Sequence, residues 1–380
     1  MGVLTALAGL SVLVWLWLAL LRGMFWRTDV RLPPGSDPAP WPSVAVVVPA
    51  RDEAEVLPAS LPSLLDQDYP GPVRVILVDD NSADGTRELV AGRWPAVDLV
   101  APGEPPPPGW AGKLWALRAG IAAAGPAEFL LLTDADIAHR PGSLTALVRT
   151  ATADRLDLVS QMARLRVRTG WERLIVPAFV YFFALLYPFR WSNKPGTRTA
   201  AAAGGCSLVR RAALAQAGGL DTIRTAVIDD VALARLLKRS GARTFLGLAD
   251  LVESIRPYDD LGALWRMVSR SAYAQLRHSI WLLAGTVVGL AVIFVVPPVA
   301  VVTGAVRTGW WTLLAGVVAW LLMAGTFAPM LRYYGQPVVA AVLLPFTAIL
   351  YLAMTVDSAI QHYRGRGTAW KGRTYPAARR

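Results

Sequence analysis

Four stretches of this chain carry no charged side chain: Met1–Leu21, Ser279–Val306, Thr308–Leu331 and Tyr333–Val356. A helix rises 1.5 Å per residue, so roughly 20 apolar residues cross the hydrocarbon core of a bilayer, and each run is long enough. Three such runs in succession are not the pattern of buried helices in a soluble core. The 380-residue composition agrees, with 54% apolar and only 17% charged residues. A cleaved secretory signal is disfavoured for the first run, because no basic segment precedes it and no small-x-small site follows it. It reads as a retained anchor. The single cysteine, Cys206, excludes a disulfide-built scaffold.

Basic residues orient the chain. Arg22, Arg27 and Arg31 follow the anchor, and Arg266, Arg270 and Arg277 precede the second run, which places 22–278 in the cytoplasm. The tail carries Arg364, Arg366, Lys371, Arg373, Arg379 and Arg380 and should face the same side. Three full crossings would put it on the other. One run must therefore turn back or split, and the Pro297-Pro298 break singles out Ser279–Val306. The net charge of +11 is accounted for by this tail and these flanks, which suit anionic headgroups. No nucleic-acid-binding signature is present.

Between the membrane runs the pattern changes. After a Pro-rich linker, Val44–Val48 is a β-branched apolar run that stops at Pro49 and reads as a buried parallel strand. Ala54–Leu65 has helical spacing. Val73–Val78 and Phe129–Leu132 are further buried strands, with a helix starting at Asp84 between them. Strands alternating with helices mean an α/β domain with a mostly parallel sheet, whose ligands bind at the carboxyl ends of the strands. The acids Asp79, Asp80, Asp134 and Asp136 fall at those ends.

Several chemistries are excluded. G-x-G-x-x-G, G-x-x-x-x-G-K-[ST] and G-x-S-x-G are all missing. The three histidines are scattered, and with one cysteine a His/Cys zinc site is not expected. Carboxylate chemistry remains, with hard oxygen ligands that suit Mg²⁺ or Mn²⁺ carrying a phosphate. Asp134-x-Asp136 can turn two carboxylates toward one cation, although a turn with polar caps would read the same. Ser82 or Asp84 could equally be capping the next helix. Lys113 could neutralise a diphosphate or be a solvated charge. Asp229-Asp230 opens a helical run, where acids are favoured by the helix dipole or poised as a general base.

Taken together, Val47–Glu53, Ser63–Pro70, Val78–Thr86, Gly112-Lys113 and Thr133–Asp136 resemble family-2 glycosyltransferases of the GT-A fold, over roughly residues 43–250. The anchor, Pro107–Ala116 and Trp370–Arg373 look like the membrane-bound hopanoid-biosynthesis-associated members. The resemblance implies that Pro49, Ala50, Arg51 and Glu53 line a nucleotide pocket and that Asp79 and Asp80 contact base and ribose. It implies that Asp134 and Asp136 are the DxD acids, with Asp136 the direct metal ligand. Asp230 matches the general base, and Asp229 stands where the family has Glu. No Gln-x-x-Arg-Trp motif is visible, which argues against a processive synthase.

The expected organisation is an anchor at 1–21, a linker at 22–42 and a GT-A nucleotide-sugar-binding domain at 43–250. A membrane-proximal amphipathic segment at 251–278, a transmembrane region at 279–357 and a basic tail at 358–380 follow. The expected enzyme is multi-pass in the cytoplasmic membrane, with its catalytic domain in the cytoplasm. It moves one sugar from a nucleotide sugar, of the UDP type, to a lipid acceptor with inversion, using Mg²⁺ or Mn²⁺. Leu174–Phe189 is uncharged, rich in aromatics and broken by Pro177 and Pro188. It reads as an interfacial or re-entrant segment offering the lipid, or as a buried core helix. The alternatives are a polysaccharide synthase with a sugar channel and a non-catalytic membrane scaffold.

Overall fold

A computed structural model describes residues 2–365, 369–370 and 373–374. The rest of the expected basic tail, and with it Lys371 and Gly372 of Trp370–Arg373, lies outside the described residues. The chain forms two compact units. One comprises residues 29–166 and 191–257, with the short strand pair Ala369–Trp370 and Arg373–Thr374. The other comprises residues 2–28, 167–190 and 258–365.

The first unit is built on an eight-stranded sheet. Its strands are β1 (Val44–Ala50), β2 (Val73–Asp79), β3 (Asp98–Val100), β4 (Phe129–Leu132), β5 (Ile137–His139), β6 (Leu158–Leu165), β7 (Ser207–Arg210) and β8 (Thr244–Ser254). The order is β3-β2-β1-β4-β7-β6-β8-β5. The β3-β2-β1-β4 half is parallel, as the buried apolar runs predict, and β7 enters antiparallel beside β4. Helices cover both faces. Val46, Val48 and Leu131 pack on one side with Leu57, Leu61 and Leu147, and Val47, Ile76 and Leu130 pack on the other with Leu114 and Leu117.

Pro49 does not end the first strand, which continues to Ala50. The Val47 carbonyl accepts from Thr133 N at 3.2 Å and the Ala50 carbonyl from Asp80 N at 2.8 Å, so alternate residues face β4 and β2. Pro49 faces β4, which has already ended, and its missing N–H breaks no ladder bond. The expected domain boundary at 250 also falls short. β8 runs to Ser254 because β5 and the end of β6 pair with its last residues. Residues 167–190, placed inside the domain by the sequence, belong to the other unit.

In that second unit four helices are long and apolar enough to cross a membrane: Gly2–Leu21, Ile280–Val306, Trp310–Tyr333 and Val338–Tyr363. The Ile280–Val306 helix does not break at Pro297-Pro298. A π-helical turn at Ala291–Val295 resets the hydrogen-bond register, and the prolines occupy the first turn after it, where missing N–H groups cost least. It packs antiparallel on Trp310–Tyr333 through glycines. A Cβ on Gly304 would lie 2.5 Å from the Leu313 nitrogen, and one on Gly316 would lie 2.9 Å from the Pro297 oxygen. Ile280 and Tyr333 therefore share one end of this pair.

The last run behaves differently. From Tyr333 the chain climbs to Val342, whose carbonyl accepts from the Trp320 indole at 3.2 Å, well along the neighbouring helix. The α-helix Leu344–Tyr363 then passes Phe182, with Tyr351 at 4.8 Å between ring centroids, and brings Val356 and Ala359 against Leu283 and Val287. Tyr363 Oη lies 2.9 Å from Tyr273 Oη. The helix thus returns to the end at which Ile280 and Tyr333 lie. It runs past the expected boundary at 357, because the Trp265 indole and Gln361 both donate to the Asp357 carboxylate, at 2.8 and 2.6 Å.

Leu174–Phe189 lies within the helix Gly170–Leu186 and the start of a short helix at Phe189. Pro177 does not interrupt the longer helix, whereas Pro188 follows its end. Thr169 and Glu172 form a capping box at its start, and Glu172 Oε1 also accepts from Tyr258 N at 3.0 Å. The expected amphipathic segment is the helix Leu261–Gln275, which buries Leu264 and Val268 one turn apart and Tyr273 near its end.

Candidate active site

The carboxyl ends of β1, β2 and β4 open toward one side of the sheet. At the first two, backbone geometry interlocks two loops. Asp52 and Asn81 adopt left-handed φ angles of 52° and 54°. Asp52 N donates to Ser82 Oγ at 2.9 Å, Glu53 N to Thr86 Oγ1 at 2.9 Å, and Ala83 N to Asp52 Oδ1 at 2.8 Å. Arg51 Nη1 donates to the Asp80 carbonyl at 2.6 Å. Asp79 and Asp80 are buried, and Asp79 Oδ1 accepts from Ser82 N at 3.2 Å. Asp84 Oδ1 accepts from Thr86 N at 3.0 Å in a local turn, but the N-cap of the helix Thr86–Arg93 is Gly85, with no side-chain cap bond, so neither Ser82 nor Asp84 caps it.

Beyond β4, Thr133–Asp136 meets two elements distant in sequence. Lys113, in the first turn of the helix Gly112–Ala123, places Nζ 2.7 Å from Asp134 Oδ1 and 3.1 Å from Asp229 Oδ2. Asp230 sits beside Asp229 at the start of the helix Asp229–Arg239, and its oxygens accept from Gly204 N at 2.8 Å and Val231 N at 2.7 Å. Gly204 is where the pieces converge. A Cβ there would lie 3.1 Å from Lys113 Nζ and 3.5 Å from both Asp134 Oδ2 and Asp230 Oδ2. A small pocket is lined by Pro49, Lys113, Asp134, Gly204, Asp229 and Asp230.

Electrostatics follow from this crowding. Burial, then the neighbouring Asp229 carboxylate, pushes the Asp230 carboxyl up to about 7, against Lys113 and the two N–H donors. Burial works to lower the Lys113 ammonium, but Asp134 and Asp229 outweigh it and raise it above its ordinary value. Asp134 is itself raised, by burial first, with Lys113 opposing. The two shifts pull the pair in opposite senses. At 2.7 Å the charged pair is the arrangement favoured, since the lysine keeps its proton.

Asp136 faces a cation with no recognisable motif in the sequence. Arg256, just past β8, places Nε 2.8 Å from Asp136 Oδ2 and Nη2 2.7 and 2.9 Å from the two Glu53 oxygens. Ile255 N donates to the Asp136 carbonyl at 2.9 Å, which fixes this approach. His139 is also buried here, 2.9 Å from Thr133 Oγ1, and burial lowers its imidazole to about 4, so it is a neutral support. Thr133 Oγ1 in turn donates to the Gly205 carbonyl at 2.8 Å. Cys206 is fully buried, with its thiol pushed up to about 12, as befits a small packing residue.

The structure thus gathers Lys113, Asp134, Asp229 and Asp230 into one cluster and joins Glu53 to Asp136 through Arg256. Arg51, Asp79 and Asp80 form the adjoining loop pair. Among the described residues no three Asp, Glu, His or Cys side chains form a group that could hold a metal ion by themselves; Asp134 and Asp136 are the carboxylates that could offer oxygens to a hard divalent cation carrying a phosphate, and Gly204 leaves space beside Asp134.

Residues 42–274 match the family described as Glycosyltransferase like family 2. The chain is 40% identical over 88 residues to an N-acetylglucosaminyltransferase of Mesorhizobium japonicum, covering 20% of each. It is 35% identical over 162 residues to the succinoglycan biosynthesis protein ExoO of Rhizobium meliloti, covering 39% of this chain and 44% of that one. The chain spans less than half the length of these curated relatives. Among solved structures, the mannosyltransferase PcManGT from Pyrobaculum calidifontis, in complex with GDP-Man and Mn²⁺, matches with a TM-score of 0.57. That match covers 95% of this chain and 99% of the other at 21% identity, a likeness of fold.

Proposed function

The chain belongs to the glycosyltransferase-like family 2 and its α/β domain has the GT-A fold, and from that premise we propose that it moves one sugar from a nucleotide sugar to a membrane lipid. The observation that carries this reading is the convergence of Asp134, Lys113 and Asp230 around Gly204 at the carboxyl ends of the strands.

In this reading Arg51, Glu53, Asp79 and Asp80 hold the nucleoside, and Pro49 and Ala50 shape the floor beneath it. Asp134 and Asp136 would hold Mg²⁺ or Mn²⁺, which when bound offsets charge on the leaving diphosphate. Asp230 takes the proton of an acceptor hydroxyl. The hydroxyl oxygen then bonds to the anomeric carbon as the bond to the β-phosphate oxygen breaks, and the diphosphate leaves with the electron pair. One such displacement inverts the anomeric centre. Asp229 keeps Lys113 in place, and burial together with the Asp229 charge holds the Asp230 carboxyl in a range where it can exchange a proton near neutrality.

The apolar helices support a membrane-borne acceptor, and the basic flanks support a catalytic domain on the cytoplasmic face. The returning course of Leu344–Tyr363 supports three crossings and one re-entrant segment. On that reading Arg364 falls on the side of the membrane that its charge favours. The helix Gly170–Leu186 buries Ile175, Val176, Val180 and Tyr181, with Tyr181 Oη 2.8 Å from Thr326 Oγ1, which supports the buried-core reading of Leu174–Phe189 over a segment that offers lipid. Hopanoids are one acceptor class consistent with the family resemblance. A second reading, a saccharide-bearing acceptor, is favoured by the relative named for succinoglycan biosynthesis. Membranes containing the protein, incubated with labelled nucleotide sugars, should yield a labelled lipid extract. Label found only in water-soluble polymer would refute the lipid reading.

A further inference from the structure

Each acid of the Asp134-x-Asp136 pair already has its own cation. Lys113 sits on Asp134 at 2.7 Å and Arg256 sits on Asp136 at 2.8 Å, and the second partner of each cation is another acid of the site, Asp229 for Lys113 and Glu53 for Arg256. The two cations reach the motif from opposite directions. Lys113 comes from a helix start before β4, and Arg256 from the loop after β8, which lies between β6 and β5 far along the chain. Their side chains are largely shielded, at 17% and 28% exposure. Neither is a floating surface charge.

A divalent cation arriving without nucleotide must therefore compete with an ammonium and a guanidinium for the same oxygens. A nucleoside diphosphate changes that balance, because it brings its own oxygens for the two cations. Arginine presents a planar fork suited to phosphate, and lysine a compact charge suited to a diphosphate oxygen.

We propose that Lys113 and Arg256 are exchangeable counter-cations: they occupy the two DxD acids until a nucleoside diphosphate arrives with its divalent cation, and then transfer to the diphosphate. This rests on the nucleotide-sugar reading above. Metal and nucleotide enter as a unit, and each raises the affinity of the site for the other. Arg256 thus competes for Asp136 before the nucleotide arrives and contacts the diphosphate afterwards.

The test uses the full-length protein in detergent, with Mn²⁺ binding followed by electron paramagnetic resonance, alone and with saturating UDP or GDP. Wild type should bind Mn²⁺ weakly alone and much more tightly with the nucleotide. Arg256→Gln should tighten binding of Mn²⁺ alone by about tenfold or more, the scale of removing one charge-assisted competitor. It should also shrink the enhancement given by nucleotide, by the same mechanism acting on the diphosphate side. Lys113→Gln should do likewise, and Arg256→Lys should restore part of the wild-type pattern because it keeps the charge. A general loss of structure would weaken binding in every condition and could not tighten it.

Unchanged or weaker binding of Mn²⁺ alone in Arg256→Gln and Lys113→Gln overturns the proposal while leaving the nucleotide-sugar reading intact. Failure of wild type to bind either nucleotide with Mn²⁺ overturns that reading, and this proposal falls with it.

Discussion

Asp230→Asn separates the chemistry of the base from the stability of the fold. Asp230 is held up at about 7 from an ordinary 3.8, mainly by burial and Asp229. A folded-state value above the unfolded one means that ionisation opposes folding. The penalty is absent below about pH 4, grows through the interval up to 7, and is complete above it. At about 1.4 kcal/mol per unit, it is on the order of 4 kcal/mol at pH 8 and on the order of 1 kcal/mol at pH 5. Asparagine never ionises and escapes it. It also turns an NH₂ group toward one of the two backbone donors, Gly204 N or Val231 N, at a cost of about 1–3 kcal/mol. The net expectation is a variant about 1–3 kcal/mol more stable than wild type at pH 8 and no more stable at pH 5. Thermal unfolding of the detergent-solubilised protein at both pH values reads this directly. Turnover should meanwhile fall at least ~10²-fold with binding of the nucleoside diphosphate retained. A variant destabilised at pH 8, or one that keeps its turnover, would show that Asp230 is not a strained base.

Asp229→Asn removes one cause of that raised value, so the acid limb of the pH–rate profile should move to lower pH and turnover should fall less than in Asp230→Asn. An unmoved limb would separate Asp229 from the base. Asp136→Ala should abolish transfer and weaken the metal dependence of nucleoside diphosphate binding, measured by calorimetry with and without Mn²⁺; binding of unchanged metal dependence would remove Asp136 from the metal site. For the membrane region, single cysteines at Thr308 and Arg364 should differ in intact cells. A membrane-impermeant maleimide should label position 308 at once and position 364 only after lysis, with buried Cys206 silent in both. Equal labelling in intact cells would mean that the last run crosses. Gly304→Val should lower the unfolding temperature, at a cost of about 1–3 kcal/mol, because its side chain meets the Leu313 backbone; an unchanged temperature would mean that the two helices are not packed there.

Local patterns carried much of this molecule. Val44–Val48, Val73–Val78 and Phe129–Leu132 read as buried strands because both faces of a covered parallel sheet exclude polar side chains. The acids that follow them were legible as a site because strand ends bring such positions together whatever the loops do. The four apolar runs were legible because composition and length report membrane compatibility. Arg256 was not legible. It lies 120 residues from Asp136, and only the antiparallel pairing of β5 with β8 carries it there. The convergence on Gly204 is of the same kind: it requires β7 beside β4 and a helix start aimed at the loop between them. The direction of the last membrane run was hidden for a different reason. Hydropathy is the same for a helix read upward or downward, so the sequence carried only the expectation that one run turns back or splits, and pointed to the proline-marked one. Packing of Val356 and Ala359 on Leu283 and Val287, a contact between runs far apart in the chain, is what sets the course of Leu344–Tyr363.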